Sequence, residues 1–180
     1  MFHFQDIRQA AADNYGYVTM ATAAALGIKP VEMTRWVQSG RLEHPARGVY
    51  RLVDYPPSHI EPFVRAVISV GKDARIFGES VLGMLNLAPT NPTWIYIGTP
   101  HRIRRHMPTG IKLVKVNSSD RIANYDGVDS QPVADAIRSC RAHLLIERIV
   151  HATEEAFRQG YITAKEHASL VKENKNETSS

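Results

Sequence analysis

Between residues 29 and 47 the chain carries a set of side chains suited to one kind of chemistry: Lys29, Thr34, Arg35, Gln38, Arg41 and Arg47. Val31, Thr34, Arg35 and Gln38 recur at the spacing that places residues on one face of a helix. A face holding a guanidinium, an amide and a hydroxyl can donate to and accept from base edges and phosphates. On that geometry Arg35 and Gln38 reach bases, while Thr34 and Lys29 reach phosphates. Arg41 adds a cation where the helix gives way to the next strand. Arg47 lies in a turn, where it can meet a phosphate or a minor groove.

The surrounding residues predict the elements that hold this face in place. Thr19 can cap a helix, because its hydroxyl accepts from a free N–H of the first turn. The alanine-rich run Met20–Leu26 propagates that helix well. Gly27 suits the left-handed residue that ends it. Pro30 fits the first turn of the next helix, where its missing N–H leaves nothing unpaired. This second helix runs to about Ser39, and Gly40 stops it. Met33, Trp36 and Val37 fall on its other face and should be core. Arg41–His44 and Gly48–Leu52 read as short strands around the turn Pro45-Ala46-Arg47-Gly48. Ahead of all this, Ile7–Tyr15 reads as a helix with Ile7, Ala10 and Ala11 inward. Three helices followed by a basic hairpin outline a winged helix-turn-helix, whose usual work is to set one helix in the major groove of DNA.

Tyr17-Val18-Thr19, the alanine-rich helix, Leu26-Gly27-Ile28, Ser39-Gly40, Arg41-Leu42 and Arg47-Gly48-Val49-Tyr50-Arg51 together resemble the N-terminal domain of AbiEi-type antitoxins of bacterial type IV, or abortive-infection, toxin–antitoxin systems. Weaker likeness continues through Phe77–Leu87, Trp94–Ile97, a basic stretch, Asp126-Gly127-Val128 and Pro132–Asp135, in the order of that family's second domain. The resemblance implies an autorepressor that binds operator DNA through the winged helix. It also implies antagonism of a nucleotidyltransferase-like toxin through the second domain. One residue departs from the family pattern. Lys29 stands where a small polar cap is common, and a lysine is a poor cap at the wrong end of the helix dipole. A bound phosphate would relieve the conflict; a solvated lysine would cost only about a few tenths of a kcal/mol.

Charge along the chain is uneven. The chain has 180 residues and a net charge of +4. Residues 1–55 are nearly balanced, whereas Gly98–Arg121 holds Arg102, Arg104, Arg105, Lys112, Lys115 and Arg121 against Asp120 alone. That block reads either as a second basic surface for a polyanion or as a solvated hairpin. In the hairpin reading Ile111–Val116 alternates like a half-buried strand, with Lys112 and Lys115 outward.

Catalytic machinery does not assemble from the sequence, and the expectation is a protein that is not an enzyme. The carboxylates are scattered, and Asp126, Asp129 and Asp135 are explained by a turn and a helix start. No phosphate-cradling glycine loop or serine elbow occurs. His101 and His106 lack a third ligand at metal spacing, so neither a metal nor a cofactor is expected. Cys140 is the single cysteine, sits among helix formers and reads as a packed thiol. One cysteine, no apolar run of membrane length and no secretion signal point to a cytoplasmic protein without a membrane partner.

The fold class expected is α+β, a winged helix-turn-helix over 1–54 followed by a small mixed α/β domain over 58–171 with C-terminal helices. Asp54–Ser58 is the link between them. Helices are expected at Ile60–Gly71, Glu79–Leu87 and from Pro132, and a long one at Arg141–Gln159 with Leu144 and Leu145 inward. Trp94–Ile97 reads as a buried strand beside Ile111–Val116. Thr163 should cap a last helix ending at Val171, leaving 172–180 as a disordered tail. Double-stranded operator DNA and a nucleotidyltransferase-like toxin are the partners this implies. A winged-helix scaffold for protein contacts, or a regulator with no toxin partner, is the alternative. The oligomeric state stays open.

Overall fold

A computed structural model describes residues 3–89 and 93–178, with side chains to residue 175. The chain divides into two compact units, Met1–Lys72 with Arg105–Pro108, and Asp73–Arg104 with Thr109–Ser180. The division therefore falls elsewhere than at 54–58.

The first unit begins with α1 (His3–Ala12), β1 (Tyr17–Thr19), α2 (Met20–Ala25) and α3 (Pro30–Gln38). It continues with β2 (Leu42–Ala46), β3 (Val49–Leu52) and α4 (Glu61–Val70). Thr19 caps α2, its Oγ1 accepting from the Thr22 amide at 3.0 Å. Gly27 takes φ of 74°, a conformation that costs glycine no Cβ clash, and turns the chain toward α3. Ile7 and Ala11 of α1, Ala23 of α2, Ile28, Met33 of α3, and Leu42 and Leu52 of the hairpin are buried together. Ala10, Trp36 and Val37 are half-buried at the margin of that core.

Strand β1 was not apparent from local chemistry. It pairs antiparallel with β3, Tyr17 opposite Arg51 and Thr19 opposite Val49, and completes a sheet of order β1-β3-β2. Helix α4 belongs to this unit for a chemical reason. Arg51 Nε donates to Glu61 Oε1 at 2.8 Å, and the Tyr17 hydroxyl donates to the same oxygen at 2.9 Å. A carboxylate on the helix thus joins two neighbouring strands through charge-assisted hydrogen bonds.

The second unit holds β4 (Arg75–Ile76), α5 (Glu79–Met84), β5 (Ile95–Thr99), β6 (Ile111–Lys115), β7 (Ala123–Tyr125) and β8 (Val128–Ser130). Helices α6 (Val133–Cys140), α7 (Ile146–Arg158) and α8 (Ala164–Thr178) complete it. The sheet order is β6-β5-β4-β8-β7. Strands β5 and β6 run parallel in register from Ile95–Ile111 to Thr99–Lys115, and β4 runs parallel to β8 through Ile76 and Ser130. Ile76, Ile97, Leu82, Leu87, Ile137 and Ile149 are buried in this unit.

Three expectations for this unit are corrected. Trp94 precedes the strand rather than joining it and is exposed, so only Ile97 of the Trp94–Ile97 run is fully buried. The helix expected over 141–159 is broken: Leu145 is extended, with ψ of 142°, and is 67% exposed rather than inward. Finally, 172–178 continues α8 instead of forming a tail. Arg138 Nη2 and Arg141 Nη1 approach Glu173 at 3.1 and 2.9 Å, and Asn174 is buried, accepting from Arg141 at 2.8 Å. Residues 90–92, where Pro89 and Pro92 predict a loop, and 179–180 of the expected tail lie outside the described residues.

Candidate nucleic-acid interface

The core face of α3 fixes which face is left outside. Met33 is fully buried, and Val31, Thr34, Arg35 and Gln38 are exposed on the opposite side. Arg35 and Gln38 have no hydrogen-bond or ion-pair partner among the described residues, so their donors are available. Thr34 differs, because its hydroxyl donates to Pro30 O at 3.1 Å and only its acceptor capacity remains outward. Val31, 59% exposed, adds an apolar patch of the kind that meets a thymine methyl.

Lys29 is exposed at the start of this helix and makes no side-chain cap. The dipole conflict is answered within the chain. Glu32 Oε2 accepts from the Lys29 amide at 3.0 Å, the carboxylate half of a capping box. The signal was a glutamate three residues after the cap position. A bound phosphate is therefore not needed to explain Lys29.

Arg41 and Arg47 occupy different settings. The Arg41 guanidinium lies 5.0 Å from the centroid of the Phe4 ring, which packs edge-on against Trp36 at 5.2 Å. Arg47 sits exposed in the turn between β2 and β3 with no partner among the described residues. In the same hairpin His44 stacks on Tyr50 at 4.6 Å, stiffening the wing.

The basic block does not form one surface of free cations. Arg105 belongs to the first unit, where its Nη2 donates to Ser69 O at 2.5 Å and Val70 O at 2.7 Å, capping the last turn of α4. In the second unit Lys112 Nζ lies 5.7 Å from the Tyr96 ring centroid, and Lys115 donates to the Pro100 carbonyl. Arg121 pairs with Asp135 at 3.4 Å. Arg102 and Arg104 are exposed with no partner among the described residues. Sequence reasoning missed the most buried cation altogether. Arg75, 2% exposed on β4, donates to Asn117 O at 2.9 Å and Asp120 O at 3.3 Å.

Several titratable groups are held in structural roles. Burial, then the Glu61 hydrogen bond, pushes the Tyr17 hydroxyl up to about 12. Partial burial works against the Glu61 charge, but hydrogen bonds from Arg51 and Tyr17 outweigh it and hold the carboxyl below its usual range. Burial, then the Glu79 charge, pushes the Cys140 thiol up to about 12, as befits a packed thiol rather than a nucleophile. Asp129 accepts from Asn124 at 2.9 Å, and Asp135 pairs with Arg121 and Arg138.

Helix α3, its outward polar face and the β2–β3 hairpin together define a winged helix-turn-helix module. Residues 5–53 match the family of transcriptional regulators described as AbiEi antitoxins, in agreement with the resemblance carried by the sequence motifs. The matched segment lies within the first unit. Among solved structures, that of the RV2827C protein from Mycobacterium tuberculosis is similar at 14% identity and a TM-score of 0.45, covering 94% of this chain and 80% of that one. No curated protein matches the chain. None of its helices, among the described residues, is long and apolar enough to cross a membrane.

Proposed function

We propose that this chain is a cytoplasmic antitoxin and transcriptional autorepressor of a type IV toxin–antitoxin system. The observation that carries the reading is the open α3 face, with Arg35 and Gln38 unpartnered opposite buried Met33, inside a segment matching AbiEi regulators. In this reading α3 enters the major groove. Arg35 and Gln38 contact bases, Thr34 accepts from a water that itself donates to a phosphate, Lys29 and Arg41 approach the backbone, and Arg47 holds the wing against it. The second unit carries the antagonism of a nucleotidyltransferase-like toxin, and Arg102 and Arg104 are its cations left for a polyanion.

A gel-shift with the chain's own upstream DNA tests the first half. Arg35→Ala should weaken binding by about 1–3 kcal/mol if the guanidinium makes a bidentate base contact. Unchanged affinity in the Arg35→Ala, Arg47→Ala double variant removes the assignment. Co-expression with the product of an adjacent nucleotidyltransferase-like reading frame tests the second half, with growth restored as the expected result.

Exposed Val31 and Leu26 favour a second reading, a winged-helix scaffold for protein contacts. Salt separates the two. Phosphate contacts release counterions, so DNA affinity falls steeply as salt rises, whereas an apolar protein contact is insensitive to it.

A further inference from the structure

A groove of about 810 Å³ in the first unit lies between the wing turn and the end of α4, and we propose that it binds a small amphipathic anion, an organic carboxylate, sulfonate or phosphate with an apolar body. Its cations come from three places in the sequence. Arg47 is on the wing, Lys72 follows α4, and Arg105 arrives from the short segment that caps that helix. Among the described residues no carboxylate lines the groove. Arg47 and Lys72 have no partner among the described residues. Arg105 spends Nη2 on Ser69 O and Val70 O, which leaves its remaining guanidinium donors for a ligand.

The walls explain why the ligand needs an apolar body. Met20, Val49, Val67 and Ile68 line the groove, so a bare inorganic anion would leave most of it empty. A concave, largely apolar site with a few convergent polar groups is the usual form of a small-molecule site. Ser69 supplies a further observation. It lines the groove, and its hydroxyl is buried without a hydrogen-bond partner among the described residues. Buried hydroxyls are ordinarily satisfied, and a ligand oxygen or a water held by the ligand would satisfy this one.

The proposal stands apart from the DNA-binding assignment, because it is read without DNA. Anilinonaphthalene sulfonate, an aromatic sulfonate of the proposed class, is titrated into the full-length chain. One-to-one binding is expected, with amide shifts at Gly48 and Gly71, which line the groove, and none at Gly160 in the second unit. That map needs no variant and so does not depend on a mutant folding. Arg47→Gln with Lys72→Gln should weaken the dye about tenfold, the sum of two exposed charge contacts. Ala21→Phe, which places a ring at the groove wall and leaves every cation in place, should abolish binding. Inorganic phosphate at equal concentration should fail to displace the dye. Shifts at Gly160 in place of Gly48 and Gly71, dye affinity within twofold of wild type in both variants, or full displacement by phosphate would each overturn the proposal.

Discussion

Two stretches of the chain use their cations differently. The first is nearly balanced in charge over residues 1–55, yet Lys29, Arg35 and Arg47 stand exposed on it without an ion-pair partner among the described residues. The stretch Gly98–Arg121 is strongly basic, yet most of its cations are engaged in holding the chain together. Arg105 caps a helix, Lys115 meets a carbonyl and Arg121 meets Asp135. In the second unit Arg75, Arg138 and Arg141 are likewise tied to carbonyls, Glu173 and Asn174. Net charge along a sequence therefore locates cations without saying which remain available. Availability depends on whether a carboxylate or a helix end lies within reach, which is a property of the fold.

The contrast is broken most forcefully at Arg75. Arg75→Ala should destabilise the second unit by about 2–4 kcal/mol, because it opens a cavity and removes the donor that holds the Asn117 and Asp120 carbonyls. Urea denaturation followed through Trp94 in a Trp36→Phe background measures this. A loss under about 1 kcal/mol would show that Arg75 is not a structural cation. Glu173→Gln should cost about 1–2 kcal/mol by weakening the hold of Arg138 and Arg141 on α8, measured the same way. If 172–178 were a dispensable tail, that substitution would be silent.

A pH series sharpens the first unit's side of the contrast. The Glu61 carboxyl is held below its ordinary value in the folded state, so its contribution is present above the unfolded value and is lost as pH falls through the folded one. Tyr17 is raised from 10.0 to about 12, so its contribution is whole below pH 10 and is lost as pH rises through about 12. Thermal unfolding monitored at Trp36 should show both limbs, and Glu61→Gln should flatten the acid one. The smallest effect is expected at the free cations. Arg35→Ala and Arg47→Ala should each change stability by less than about 0.5 kcal/mol, whatever they do to DNA.

Much of the first unit was legible because its signals are local. Thr19, Gly27, Pro30 and Gly40 mark helix boundaries by their own capping and backbone preferences, and the spacing of Met33 and Arg35 sorts core from surface. Strand β1 was not legible, since its three residues, set between the turn at 13–16 and α2, become a strand only by pairing with β3, thirty or more residues onward. At the start of α3 Lys29 is a poor cap by itself, and the group that answers it, Glu32, lies three residues further on. The break before α7 was hidden by a continuous run of helix formers, which says nothing about where tertiary packing ends one helix. The tail looked disordered for a similar reason: Glu173 and Asn174 are polar, and only Arg138 on α6 and Arg141 just past its end hold them in place. For the interface, the sequence identified the outward residues of α3 but could not tell which cations of the basic block were already engaged.

The ladder that joins Ile76 to Ser130 has a kinetic meaning. Strand β4 contributes only two residues, and one of its neighbours is not synthesised until more than fifty residues later. The hairpin β2–β3 and helices α1 to α3, by contrast, close over short loops. Non-local pairing is slow because the loop must be ordered before its contacts reward it. During translation the wing and α3 can therefore assemble while the later sheet still waits for its central strand's partner.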